Sequence, residues 1–324
     1  MRFAHRGLPE LLSTPGPSVG LEISADRIAA VMLAWPRQRP VVVGFASEAL
    51  PSGAITPALN TVNLSNRAAV VETVDKVFER LPKRPTRVAL LIPDSAAKVS
   101  FVRFEKIPLR EADLDQLIRW QVKKTAPFRL EDAQLSYTLG RRTLDGGREF
   151  VVALMRRDIV EEYQAVCSNA GAHAGIVDLA SLNLINAALS MAPPILGDWL
   201  LIHVAPGYST IAIVRGRDLI FFRSRQTEGH GHLAELVHQT AMYYEDRLGG
   251  KVFTRAFLAG HAAGESSNGS AQNLGQTLED RLKTRVEPLD AAVVAAGAAG
   301  ADPTQLSALA APIGLLLRNR LSDQ

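Results

Sequence analysis

Small and hydroxyl-bearing residues lie at the turns of two similar segments, 19–31 and 200–214. In each segment an apolar strand pattern leads into a short turn and out into a second apolar strand. A hairpin of this kind can direct backbone N–H groups and a hydroxyl at a phosphate, and two facing hairpins could hold a triphosphate between two domains. The candidate residues are Gly20, Ser24 and Ala25 in the first segment and Gly207, Ser209 and Thr210 in the second.

An acidic residue in the first segment is matched by a histidine in the second. Glu22 could hold Mg²⁺ through a water molecule, but the corresponding position in the second segment is His203. Magnesium prefers oxygen ligands, so a histidine is a poor replacement for a carboxylate. The pattern favours phosphate binding with weakened hydrolysis. It leaves open a second interpretation, in which both turns belong to a scaffold that has lost its nucleotide.

A further glycine follows a third apolar strand pattern. Gly260 comes directly after Phe257-Leu258-Ala259, where a strand-to-helix turn could approach an adenosine. The next residue is His261, although such sites usually have two adjacent glycines. The signal for a nucleotide base is therefore weaker than the signal for phosphates.

Other catalytic and metal-binding motifs are missing from the sequence. It contains no P-loop, CxxC pair, HExxH helix or G-x-S-x-G elbow. His230-Gly231-His232 has no cysteine or carboxylate at ligand spacing, so we expect a turn at the start of a helix rather than a metal site. The single cysteine, Cys167, lies in an apolar helical pattern and is expected to be a buried thiol. An enzymatic function would rest on nucleotide binding alone.

The composition is that of a two-domain globular protein. The 324 residues are 47% hydrophobic and 21% charged, which excludes global disorder. The net charge is only +3, and no segment combines basic and aromatic residues as a nucleic-acid surface would. No apolar run is long enough to span a membrane. These features predict a cytoplasmic protein.

The elements that must position these residues occur in the same order in both halves. The first half has strand patterns at 19–24, 27–35, 40–46 and 87–93, and an amphipathic helix over 66–81 that Asn66 would cap. The second half has strand patterns at 199–205, 209–215, 217–224, 254–258 and 285–288. Its helical patterns cover 232–248, 275–283 and 303–321. This repetition predicts a duplicated α/β unit.

A segment of different character interrupts the first half. Residues 99–171 show a β-α-β-β-α order, typical of a compact α+β module, and a helix is predicted over 178–191. We therefore predict a flexible lead-in at 1–17, a first domain formed by 18–98 and 172–197, an inserted module at 99–171, and a second domain at 198–324.

Several segments, in order over nearly the whole chain, resemble the type IV pilus assembly protein PilM family. Residues 19–24 are similar to that family's opening Val-Gly-Ile-Asp-Ile-Gly. The most specific match is 117–132, which resembles a helix followed by Ile-Pro-Phe-Pro-Leu-Glu-Glu. Weaker similarities cover 170–182, 257–260 and 286–290.

The resemblance implies a duplicated, actin-like (RNase H-like) α/β fold with an inserted SHS2-like module. It further implies ATP and magnesium as cofactors, and a partner in the cytoplasmic tail of PilN, a membrane-anchored pilus protein. The chain would then lie at the inner membrane through that partner. Within the module, the aromatic candidates for partner binding are Trp120, Phe128 and Tyr137, and for each of them a place in the module core is the alternative.

Three functions fit these features. The first is a scaffold of a pilus or secretion machine that binds a partner peptide. The second is an active actin-superfamily ATPase or small-molecule kinase, which would need the metal-binding acid that His203 replaces. The third is a membrane-tethered filament, but the apolar stripe of 306–321 follows directly on a glycine-rich turn, as a core helix would.

Overall fold

The computed structural model describes residues 16–143, 145–191, 193–226, 230–260, 269–289 and 303–318. Most of the predicted lead-in at 1–17, His261 and the end of the predicted closing helix lie outside these residues.

The first half is built on a five-stranded sheet with the order β3-β2-β1-β4-β8. Its strands are β1 Val19–Ile23, β2 Arg27–Ala34, β3 Val41–Ala49, β4 Arg87–Ile92 and β8 His173–Leu179. Strands β1 and β2 form the first predicted hairpin, in which Glu22 pairs with Ala29. Strand β1 also pairs in parallel with β4, and β4 in parallel with β8. The carboxyl ends of β1, β4 and β8 therefore meet at one edge of the sheet.

The second half repeats this arrangement with the sheet order β11-β10-β9-β12-β13. Its strands are β9 Asp198–Ala205, β10 Tyr208–Arg215, β11 Asp218–Gln226, β12 Arg255–Gly260 and β13 Val286–Pro288. Strands β9 and β10 form the second hairpin, and β9 pairs in parallel with β12. The identical strand order of the two sheets confirms the predicted duplicated fold.

The inserted segment forms a three-stranded antiparallel sheet with the order β5-β7-β6. Its strands are β5 Ala97–Phe104, β6 Ala133–Arg142 and β7 Arg148–Arg156, and its helices are α2 Glu111–Lys123 and α3 Arg157–Asn169. Helix α2 covers a small apolar core of its own through Ile118 and Val122. Helix α3 instead contributes to the large core of the first half through Ile159 and Tyr163.

The remaining helices bury the faces of the two large sheets. They are α1 Arg67–Glu79, α4 Ala180–Leu189, α5 His230–Leu248, α6 Gly269–Leu282 and α7 Pro303–Leu317. Helix α1 begins as predicted, because the Asn66 side chain accepts a hydrogen bond from the Ala69 N–H at 3.1 Å. Helices α5 and α6 share one core with the second sheet, whereas side chains of α4 and α7 join a larger core that includes Trp199 and Phe257 of the second sheet. The two halves are thus packed against each other.

The structure differs from the sequence predictions in two details near the first sheet. Residues 173–179 form strand β8, so the helix predicted over 178–191 begins only at Ala180. Helix α7, which the predicted division placed in the second half, packs on α4 and on β1, β2 and β4 of the first sheet. The α4–α7 contact is close, since a β-carbon on Gly314 would lie 1.9 Å from the Asn183 carbonyl oxygen.

Candidate functional site

The turns of the two hairpins line one small cavity between the halves. Glu22, Ser24 and Arg27 line it from the first hairpin, His203 and Tyr208 from the second, and Gly260 from the end of β12. Its volume is about 10 Å³. A cavity of that size holds about one water molecule.

The structure separates the other predicted phosphate-binding residues. Gly20 lies inside β1, where a β-carbon would come 2.7 Å from the Pro312 carbonyl oxygen of α7, so its small size serves helix packing. Ala25 lies at the first turn and is half-buried, and Gly207 forms the exposed second turn with a φ of 79°. Ser209 and Thr210 are buried on β10.

The Ser24 hydroxyl is engaged within its own turn. Its Oγ lies 2.8 Å from Asp26 Oδ1 and 2.9 Å from the Arg27 carbonyl oxygen. Its backbone N–H also donates to the Arg27 carbonyl, at 3.0 Å. To contact a phosphate, this serine would first have to give up bonds that shape the hairpin.

A fully buried carboxylate, which the sequence patterns did not single out, links the two halves. Asp94 begins a short 3-10 turn directly after β4. Its Oδ1 accepts a hydrogen bond from the Ser181 N–H at 3.0 Å, and its Oδ2 accepts from the hydroxyls of Ser181 and Thr210, the latter at 2.7 Å. Since Thr210 belongs to the second hairpin, this last bond crosses between the halves. An acidic residue at the carboxyl end of a buried parallel strand was the available signal.

His203 occupies the space between the hairpins. Its Nδ1 lies 2.8 Å from Ser181 Oγ and 3.6 Å from Asp94 Oδ2, and its ring packs edge-on against Tyr208 with centroids 5.8 Å apart. A β-carbon on Gly260 would lie 2.8 Å from this ring and 2.2 Å from the Val204 carbonyl oxygen. The glycine predicted to approach an adenosine is therefore needed to accommodate His203 and β9.

The electrostatics of the cavity follow from burial. Burial raises the pKa of Glu22, and the positive charge of Arg27 opposes this effect only in part. Burial likewise raises the pKa of Tyr208 well above its usual value. The Arg27 Nε is buried and has no hydrogen-bond partner among the described residues.

The phosphate side of this cleft does not fit a magnesium nucleotide. The cavity has room for about one water molecule, and the Ser24 hydroxyl is already hydrogen-bonded to Asp26. The buried imidazole of His203 occupies the position of the second metal-binding acid. Within the described part of the chain, no group of three or more His, Cys, Asp and Glu side chains could hold a metal ion.

A much larger concave surface lies between the inserted module and the first sheet. We call it the module groove. Its volume is about 510 Å³, and its walls come from β6, β7, α3 and β8 together with Arg318 just after α7. The Arg318 Nη1 lies 3.0 Å from Asp178 Oδ2, and both side chains are at least 90% buried. Sequence reasoning placed a binding surface on the module but did not identify these two residues.

The three aromatic residues predicted for partner binding lie in different surroundings. Phe128 lines a second recess of about 630 Å³, which shares Arg157 and Glu161 with the module groove. Trp120 is 60% exposed on α2, and the Lys124 ammonium lies 5.2 Å from its ring centroid. Tyr137 packs edge-on against Phe150, with centroids 6.0 Å apart, next to the module core.

No helix among the described residues has both the length and the apolar character needed to cross a membrane.

Comparison with known proteins agrees with this architecture. Residues 20–252 match the family described as Type IV pilus assembly protein PilM. A solved structure of a PilM-PilN type IV pilus biogenesis complex is similar with a TM-score of 0.77 and 17% identity, covering 93% of this chain and 98% of that chain. A Bacteroides thetaiotaomicron protein described as having an actin-like ATPase fold and unknown function gives a TM-score of 0.53 and 11% identity over 96% of this chain and 99% of that one. The search of curated proteins found no match.

With a family match over most of its length and this likeness to solved structures, the chain belongs to the Type IV pilus assembly protein PilM family and has an actin-like fold.

Proposed function

We propose that this chain is a non-enzymatic scaffold of a type IV pilus assembly machine, and that it binds the cytoplasmic tail of a PilN-like membrane protein in the module groove. The chain would then be cytoplasmic and peripheral to the inner membrane through that partner. The observation that carries the proposal is the size and composition of the groove compared with the nearly filled cleft between the hairpins.

The walls of the groove suit an extended peptide. Met155, Val160 and Ile176 offer apolar contacts, and Gln134 offers an amide group for hydrogen bonds. Strand β8 is the last strand of its sheet among the described residues. An extended segment can add to such an edge through its backbone while alternate side chains enter pockets.

Arg318 provides a polar contact at the same place. One nitrogen of its guanidinium pairs with Asp178, whereas its Nε is buried and has no hydrogen-bond partner within the described residues. A buried donor without a partner costs free energy, so a carbonyl or carboxylate oxygen that reached it would be bound favourably. We infer that Arg318 binds an acceptor group of the tail.

The comparisons support the choice of partner. The similar solved structure is a complex of PilM with PilN. The match covers 93% of the present chain and 98% of the matched chain. Trp120 and Phe128 are our candidates for a second contact beyond the groove, because Trp120 is exposed and Phe128 lines the adjoining recess. Tyr137 would contribute less, since its ring packs on Phe150.

The alternative function, an ATPase or small-molecule kinase, has less support. Such an enzyme would need space for the phosphates and acids to hold their metal. The cavity of about 10 Å³ and the buried His203 provide neither in this conformation. We propose that any remaining nucleotide binding would be structural rather than catalytic.

A peptide titration tests the groove. The probe is a fluorescent peptide with the sequence of the cytoplasmic tail of the PilN-like protein encoded in the same genome, and fluorescence anisotropy measures its Kd. Val160→Arg places a charge in the groove and is expected to weaken binding at least tenfold. Val252→Arg, at a 66% exposed position of the second half, is the matched control and should leave the Kd unchanged. Equal affinity of both variants would refute the groove as the binding site.

A further inference from the structure

We propose that His203, Ser181, Asp94 and Thr210 form a latch that holds the two halves closed and keeps a nucleotide triphosphate out of the space between the hairpins. This proposal concerns the cleft and does not depend on tail binding in the module groove.

The hydrogen bonds of the latch form one connected chain. In the first half, Asp94 follows β4 and Ser181 lies at the start of α4. In the second half, His203 and Thr210 lie on the two strands of the second hairpin. The Ser181 hydroxyl donates its single hydrogen to Asp94 Oδ2, so it can only accept from His203 Nδ1, which must carry a proton. The Thr210 hydroxyl donates to the same Asp94 oxygen. The bonds made by His203 and by Thr210 therefore both cross between the halves.

The position of Asp94 makes these bonds hard to replace with water. Its side chain is fully buried, and it receives three hydrogen bonds from Ser181 and Thr210. A buried charge is tolerated only while such partners remain in place. Moving the second hairpin away would remove the Thr210 hydroxyl and break the contact between His203 and Ser181. Separating the two halves would therefore require water to replace the partners of the Asp94 carboxylate.

Packing supports the hydrogen bonds. The imidazole lies between Tyr208 and Gly260, and no β-carbon could be accommodated at position 260 beside it. The remaining cavity of about 10 Å³ is far smaller than a triphosphate. The ring of His203 therefore fills part of the space that facing hairpins would otherwise offer to phosphates.

The distance between the halves provides a direct test. Cysteines introduced by Glu79→Cys, at the exposed end of α1, and Gln239→Cys, on the exposed face of α5, can carry spin labels. The native Cys167 is buried, and burial raises the pKa of its thiol to about 12, so it will not compete for the label in the folded protein. Pulsed electron paramagnetic resonance then measures the distribution of distances between the two labels in the full chain.

Three variants separate the latch from simple packing. His203→Phe keeps an aromatic ring but cannot donate to Ser181, Thr210→Val removes the hydrogen bond to Asp94 Oδ2, and His238→Ala changes an exposed histidine of α5 as a control. We expect one narrow distribution for the parent and for His238→Ala. The two latch variants should give a broader distribution extending to longer distances, most strongly when combined. A narrow, unchanged distribution in the combined variant would overturn the latch.

Magnesium ATP tests exclusion of the nucleotide in the same proteins. A ligand that binds the folded state raises the melting temperature by mass action. With the parent chain, millimolar Mg-ATP should change neither the melting temperature nor the distance distribution. A clear rise in the parent's melting temperature would show that the closed latch admits the nucleotide, and the exclusion would be wrong.

Discussion

The substitution Thr210→Val isolates one bond between the halves. Valine has nearly the same shape as threonine, so the change removes the hydroxyl with little effect on packing. Thr210 Oγ1 lies 2.7 Å from Asp94 Oδ2, and both side chains are completely buried. A hydrogen bond to a charged group contributes about 1.5–3 kcal/mol. Because Asp94 loses one of the hydrogen bonds that it accepts, we expect the free energy of unfolding to fall by that amount.

Urea denaturation followed by circular dichroism measures this loss, and thermal melting provides a second readout. A loss of this size should lower the melting temperature by about 3–12 °C. This conversion takes roughly 2–4 °C per kcal/mol, the range for proteins of about 150–250 residues. Circular dichroism of the native state should be unchanged, because both residue types suit a central strand.

Thr240→Val is the matched control. Thr240 is also completely buried, but its hydroxyl donates to the Leu236 carbonyl one turn earlier in α5, at 2.8 Å. That carbonyl is within a helix and has its backbone partner, so the loss should be only about 0.5 kcal/mol. Equal losses for the two substitutions would refute the special role assigned to Asp94.

Three further predictions concern other sites. Gly314→Ala should destabilise the fold by about 1–3 kcal/mol, because its β-carbon would lie 1.9 Å from the Asn183 carbonyl oxygen. Gly275→Ala in α6 has open space around the new β-carbon and should stabilise the fold by about 0.5–1 kcal/mol. Chemical denaturation measures both changes in the free energy of unfolding. Cys167 should not react with a thiol reagent at pH 8 until the chain unfolds, because burial raises its pKa to about 12, and rapid labelling of the native protein would contradict its burial. Glu22→Gln should raise the free energy of unfolding at pH 7, because burial raises the pKa of Glu22 and the folded state therefore favours the neutral carboxyl. This gain should shrink as the pH falls and disappear below 4.5, the usual pKa, because the glutamate is then protonated in both states; a gain that does not vary with pH would show that ionisation is not its cause.

Local patterns predicted the parts of the fold that depend on local sequence. The two hairpins, helix α1 with its Asn66 cap, and the order of elements in the module all follow from apolar periodicity and turn residues. The repeated order also predicted the duplicated fold, which the two identical sheet orders confirm. The signal for each single hairpin, helix or module element lies within a window of a few turns or strands, and the repetition appears when the two halves are compared.

Features that depend on distant contacts were missed. Strand β8 contains Gly175 and has a weak strand pattern, and it is stabilised by parallel pairing with β4, which lies far away in the sequence. Helix α7 is apolar on nearly all sides, so its periodicity could not show which half it joins. The link between Asp94 and Thr210 spans 116 positions. Such a pair becomes visible only when both sheets are folded against each other.

The candidate site, too, was predicted only where its residues depend on local sequence. Sequence reasoning drew attention to His203 as the residue that departs from phosphate and metal chemistry. It could not show that the ring bonds to Ser181, or that Gly260 makes room for it. The module groove, with Arg318 from beyond α7 facing residues of α3 and β8, likewise combines segments that are far apart in the chain.

We propose that this chain binds a membrane-protein tail as a scaffold and needs no nucleotide to do so. The most direct measurement is a calorimetric titration of the nucleotide-free protein with the PilN-like tail peptide, repeated in millimolar Mg-ATP. We predict saturable binding with one peptide per chain and the same Kd in both titrations. Binding that appears only when Mg-ATP is present would contradict the account.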